Sequence, residues 1–490
     1  MFQLELTSPK VQFVLILAVL LVSTAALPVI SIASSTENVG LQFVPQAVLA
    51  PNSVARTAQG SFSCITPTPP DFFHCYTPAQ IYAAYNLNPL YSQGINGKGE
   101  TIVIADSYGS PTALSDLQTF SSTFGLPVPN TPGGPSFTIY YPSGTPTFSK
   151  SAHGTQEGWA EETSLDLQWA HAIAPMANIV LVAANPEETQ GVQGFPSLFK
   201  GEEWAVQNYP GSVISQSFSV TEQSFGGASA AAQISKFDQV YQMAAASHVT
   251  VLAATGDSGT ANTIGGQGAS GGKLVPVPTV TWPPSDPLVT AVGGTWLQYG
   301  WTWNPSSPTD MSFLTTAGSR TEAIWNEPFL PAAGGGGQSV LFSTPAFQSG
   351  ISQSVLGGTR GVPDLSWNAA VDGGVLVYLG FLGSSSGFYI IGGTSAATPQ
   401  TAGLIALTNQ VADMGSKQHV GWLNPILYTL PSGAFNDIVP QTFGSVTIGD
   451  NSLYGSGIAG YPATPGYDLA TGFGSPNGAN FVNDLASALP

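Results

Sequence analysis

Five short runs rich in Val, Ile, Leu and Ala punctuate the chain, at Thr101–Asp106, Asn178–Ala184, Ser212–Ser217, Val249–Thr255 and Val289–Gly294. None alternates cleanly between apolar and polar residues, so each reads as a strand covered on both faces. Between them, apolar positions recur at helical spacing over about 157–173, 197–207 and 229–247. This alternation predicts an α/β fold with a mostly parallel sheet and helices on both faces. Ligands of such folds sit at the carboxyl ends of the strands, so chemistry is sought there. Gly- and Pro-rich stretches at 256–272 and 331–337 read as loops.

The amino terminus has a different pattern. Lys10 precedes an apolar run from Val11 to Leu27, with Ser23, Thr24, Ala25 and Ala26 near its end. That is the pattern of a secretory signal. Apolar residues resume through Ile32, so residues 1–33 read as a signal peptide or, if uncleaved, a membrane anchor. Residues 34–75 are rich in Ser, Thr, Pro and Gln without a lasting period and read as a short leader, whereas 76–490 reads as one large unit. Export favours a disulfide between the two cysteines, Cys64 and Cys75, which contributes on the order of 2–3 kcal/mol by closing so short a loop. Two cysteines with His74 fall short of a zinc site.

Charge narrows the function classes. With 28 acidic and 10 basic side chains the net charge is −18, which excludes nucleic-acid binding through a basic surface. Charged residues make up only 8% of the chain, against about 25% in an ordinary soluble domain. With every carboxylate protonated, only ten Lys/Arg and five His carry charge, so acid unfolding by self-repulsion is blunted. The composition suits an acidic environment.

Two groups of residues suggest catalysis. The strand-like Phe388–Ile391 breaks at Gly392-Gly393, and Thr394-Ser395-Ala396-Ala397-Thr398-Pro399 opens a helix. Ser395 then sits where unpaired amides and the positive dipole end stabilise negative charge. By itself this is equally an ordinary helix cap. For the base, Asp106, His153 and Ser395 stand in the order Asp, His, Ser, compatible with a histidine triad. Alternatively, Glu162 and Asp166, four apart on one helical stripe with Trp169 and Ile173, place two acids on a face expected to pack inward. So placed, they share a proton over some acidic range.

The blocks ETSLD at 162–166, ATGDSG at 254–259, VTAVGGT at 289–295 and GGTSAATP at 392–399 together resemble the sedolisin family of serine-carboxyl peptidases. The resemblance implies a subtilisin-like, doubly wound α/β fold and hydrolysis of protein or peptide substrates by a secreted, acid-active enzyme. It assigns Ser395 as nucleophile, Glu162 as general base, Asp166 as the residue orienting Glu162, and Asp257 as oxyanion donor. A carboxyl donates a hydrogen bond only when protonated, which requires acidic pH. The same resemblance implies one calcium ion held by the carboxylates of Asp437 and Asp468 and the backbone carbonyls of Ile438, Thr464 and Gly466, although the family usually has glycine where Thr464 stands. Val213–Ser219 resembles the edge along which family members align a substrate, with Phe218 and Ser219 as contacts and Gly293-Gly294 nearby. Only about 40 residues separate the signal from the catalytic unit, far fewer than a folded propeptide needs.

Overall fold

The computed structural model describes residues 44–45, 48–49, 74–148, 153–184, 195–225, 230–264, 272–303, 313–327, 330–443 and 446–490. The N-terminal signal or anchor and Cys64 lie outside them, so neither the targeting segment nor the Cys64–Cys75 pairing is described.

The apolar runs form the centre of an eight-stranded sheet. Its strands are β1 (Thr101–Ser107), β2 (Phe137–Tyr140), β3 (Asn178–Ala184), β4 (Val213–Gln216), and, after a short separate strand β5 (Phe218–Thr221), β6 (Thr250–Ala254), β7 (Thr290–Trp303), β8 (Phe313–Ile324) and β9 (Leu365–Asn368). The spatial order is β8-β7-β6-β4-β1-β3-β2, with β9 also paired to β7. All these pairings are parallel except β7 with β8, a long antiparallel hairpin.

The absence of alternation in these runs has a direct physical cause. Ile102 and Ile104 of β1 face one apolar core with Leu165, Trp169 and Leu404, whereas Val103 and Ala105 face a second with Trp159, Phe199 and Tyr241. Ile179 and Leu181 divide from Val180 and Val182 of β3 in the same way. Helices α1 (Ala113–Phe124), α2 (His153–Ile173) and α5 (Thr394–Met414) cover the first face; α3 (Phe195–Asn208) and α4 (Ala230–Ala246) cover the second. The chain leaves β1 toward β2 and β3 on one side and continues through β4, β6 and β7 on the other. The carboxyl end of β1 is therefore a topological switch point.

A second, four-stranded sheet brings β10 (Gly374–Leu379) antiparallel to β11 (Gly387–Gly392), with Cys75–Tyr76 parallel to β10. The leader strand Val48–Leu49 completes it along β11. Among the described residues no helix is long and apolar enough to cross a membrane.

Candidate active site

β11 runs into α5 through Gly393, whose φ of 104° is a conformation that glycine adopts without the clash a side chain would bring. This sharp turn sets Thr394 and Ser395 in the first helical turn, and Ser395 is fully buried. Pro399 inside the helix lacks the N–H that would pair with the Ser395 carbonyl. Among the described residues the Ser395 Oγ has no hydrogen-bond partner.

Asp257 follows β6 and meets the same turn. Its Oδ1 accepts from both the Thr394 amide and the Thr394 hydroxyl at 2.8 Å, and the Gly256 amide donates to that hydroxyl at 3.0 Å. The other carboxyl oxygen, Oδ2, is shut off from solvent and has no partner among the described residues. Burial pushes this carboxyl up to about 7, against the hydrogen bonds from Thr394. The 331–337 loop braces the turn: the Ala333 amide donates to the Asp257 carbonyl at 3.0 Å and the Gly335 amide to Gly256 at 2.8 Å. A Cβ on Gly335 would lie 2.1 Å from the Thr255 carbonyl oxygen, so only glycine permits this approach.

α2 carries Glu162 and Asp166 to the switch point, and both are fully buried. So are Trp169 and Ile173, as the single-stripe reading expects. In fact every residue from Glu162 to Ile173 is buried, because the helix is enclosed between β1, β10, α1 and α5. Ser217, at the break between β4 and β5, donates its hydroxyl to Asp166 Oδ1 at 2.9 Å. Burial holds the Asp166 carboxyl well above the usual range; Asp106 and Glu162 raise it further, and Ser217 opposes them. Asp106, at the end of β1, is itself pushed up to about 7 by burial. Three carboxyl groups thus converge, the third being the aspartate that the sequence offered only as a partner for histidine. His153 opens α2 nine residues before Glu162, a separation of about 13 Å along a helix axis. Its side chain lies outside the described residues.

The expected substrate strand is split. Val213–Gln216 belongs to the central sheet, whereas Phe218–Thr221 joins a separate three-stranded sheet. Phe218 is buried in the second core, so only its backbone faces an edge partner. That partner is the leader: Val44 pairs antiparallel with Ser219 and Pro45 with Phe218. Three residues after Pro45, Val48 pairs with Gly392 and Leu49 with Ile391, on the strand that ends just before Ser395. Gly293 and Gly294 lie inside β7, where a Cβ would meet Ser366 Oγ at 2.5 Å or Trp325 at 2.6 Å, so close packing requires glycine at both positions.

Near the C-terminus, Asp437 and 464–468 come together. Asp437 Oδ2 accepts from the Gly466 amide at 3.0 Å, and Asp468 Oδ2 from the Thr464 amide at 2.9 Å. Asp468 Oδ1 accepts from the amides of Ala470 and Thr471 at 2.9 and 2.8 Å. Burial pushes the Asp468 carboxyl up to about 6. Asp437 and Asp468 are thus both tied to the backbone of residues 464–466, and two carboxylates with backbone carbonyls for further ligands are the all-oxygen chemistry that suits calcium.

No family model matches the chain. Individual proteins do. It is 31% identical over 440 residues to kumamolisin from Bacillus sp. strain MN-32, covering 88% of this chain and 67% of that protein. It is 30% identical to sedolisin from Pseudomonas sp. strain 101, covering 76% of this chain and 56% of that one, and 26% identical to human tripeptidyl-peptidase 1, covering 64% and 50%. The chain therefore spans between half and two thirds of the length of these three relatives. In three dimensions it is similar to Pseudomonas sedolisin, a serine-carboxyl proteinase, with a TM-score of 0.61 at 27% identity over 85% of this chain and 99% of that one. The chain belongs to the sedolisin family of serine-carboxyl peptidases.

Proposed function

We propose that this chain hydrolyses peptide bonds in acid through an acyl-enzyme on Ser395. Glu162 accepts the Ser395 proton as Oγ attacks the scissile carbonyl. Asp166 hydrogen-bonds and orients Glu162, and Asp106 completes a carboxyl cluster that retains protons to higher pH than isolated acids do. The tetrahedral oxyanion receives a hydrogen bond from protonated Asp257. Glu162 then returns the proton to the leaving amine, and a water activated by the same carboxylate releases the product acid.

The observation that carries this reading is the Asp257–Thr394 pair. It fixes one carboxyl oxygen and leaves the other, shut off from solvent, beside the residue that precedes Ser395. A carboxyl raised to about 7 by burial is a donor throughout the acidic range and loses that role as it ionises. The Asp106–His153–Ser395 triad has less support, because Asp106 interacts with Asp166 and His153 lies at the far end of α2. Replacing Glu162 by Gln and assaying a peptide at pH 3–4 discriminates: the carboxylate mechanism loses at least 10³-fold in kcat, whereas a histidine triad is indifferent.

Asp437, Ile438, Thr464, Gly466 and Asp468 would hold calcium, which supplies a structural clamp and takes no part in bond cleavage. Chelation is expected to lower Tm before it lowers kcat. The N-terminal signal reading and a Cys64–Cys75 bond fit export to an acidic exterior. A substrate aligned on Phe218–Thr221 would displace the leader strand that lies there.

A further inference from the structure

At the opposite end of α5 from Ser395, three ligand-type side chains meet that the peptidase chemistry does not use. Glu100 immediately precedes β1, Asp413 lies in the last turn of α5, and His419 follows in the next loop. One donor atom from each lies within 4.8 Å of the others. The His419 Nδ1 is 2.9 Å from the Gly211 carbonyl oxygen, which can only accept, so Nδ1 carries a hydrogen. Nε2 is thereby turned to Asp413 Oδ1 at 3.0 Å and Glu100 Oε2 at 3.8 Å. This is how a carbonyl behind a histidine aims its second nitrogen at a metal.

Two further observations point to a ligand. Glu100 is 3% exposed, and its Oε1 has no hydrogen-bond partner among the described residues. The same carboxyl meets that of Asp413, and a buried carboxyl with one unpaired oxygen beside a second acid is unfavourable until a proton or cation joins them. The imidazole is also seated by design of the backbone: Gly211 has φ of +80°, and a Cβ there would lie 2.5 Å from Nδ1. A tetrahedral ion bound at about 2.0–2.1 Å separates its ligands by about 3.3 Å, and the two observed spacings bracket that value.

We propose that Glu100, Asp413 and His419 bind one divalent transition cation of the zinc class, with water as the fourth ligand on the exposed Asp413 side. One imidazole nitrogen with two carboxylates suits zinc, whereas calcium prefers oxygen alone. The ion would join the end of the nucleophile helix to the start of β1.

The test is calorimetric titration of the full chain with zinc chloride at pH 7.5, in excess calcium so that the 437–468 loops are occupied, with thermal melts in parallel. One saturable zinc equivalent at micromolar affinity or tighter is expected, with a raised Tm. Asp413→Asn, at a solvent-facing carboxylate, and His419→Gln should each weaken binding at least tenfold while their zinc-free melts stay cooperative. Absence of saturable binding, or equal binding by both variants, overturns the proposal. In that case the three side chains are an ion-paired imidazolium.

Discussion

The Ser217 hydroxyl donates to Asp166 Oδ1 at 2.9 Å, and Ser217 is also the residue at which the chain leaves the central sheet for the separate three-stranded sheet. One residue thereby links the strand break to the buried carboxyl cluster. Its hydrogen bond favours the ionised form of Asp166, against burial and two neighbouring acids. Ser217→Ala removes that support. The expected result is a fall in kcat of about tenfold, with the acid limb of the pH–rate profile moved to higher pH and KM little changed.

Asp257 separates a donor role from a charge role. Asn keeps a hydrogen-bond donor at that position but cannot ionise, whereas Ala removes the donor. Asp257→Ala should cost about 10²–10³-fold in kcat. Asp257→Asn should retain more activity than Ala and lack the inflection near pH 7 that burial of Asp257 predicts for the wild type. Kinetics across pH 3–8 on both variants check this.

The leader pairs with β5 at Val44–Pro45 and with β11 at Val48–Leu49, so under the proposed function it would compete with any substrate that aligns there. A chain starting at Ala50 is expected to have a KM several-fold lower than one that retains residues 34–49, with kcat unchanged. A synthetic peptide of residues 42–51 should inhibit the shortened chain competitively.

Stability should rise toward acid, and the sign follows from proton binding. Burial raises Asp106, Asp257 and Glu327 to about 7 and Glu202 to about 8. Each binds its proton more tightly folded than unfolded, so its contribution is full below the unfolded value near 4 and is lost as pH rises through 7–8. His171 works in the other direction: burial lowers it to about 4, so its contribution is lost as pH falls from 6.5 toward 4. Thermal melts should give the highest Tm near pH 4–5, falling by several degrees by pH 8.

The strands were legible because a doubly covered strand cannot alternate, and β1, β3, β4 and β6 keep close to their expected bounds. The hairpin continuing β7 past Gly294 was not, since Thr295–Trp303 mixes aromatic and polar residues as a partly covered antiparallel strand does. Spacing placed Glu162 and Asp166 on one face, but a helix buried all round has no polar face to mark the other side. Asp106 was visible as a strand-end acid; its meeting with Asp166 depends on how α2 packs over β1, which no local pattern encodes. Ser217 was read as part of an unbroken strand because nothing in VISQSFS marks the break.

The central claim is that buried carboxyl groups, not a histidine, carry the proton chemistry of Ser395. It is tested most directly by the pH dependence of kcat/KM for one peptide substrate from pH 2 to 9. The carboxyl account predicts a maximum on the acid side, near pH 3–5, and loss of activity as Asp257 ionises around pH 7. A profile that rises through pH 6–7 to an alkaline plateau would contradict it.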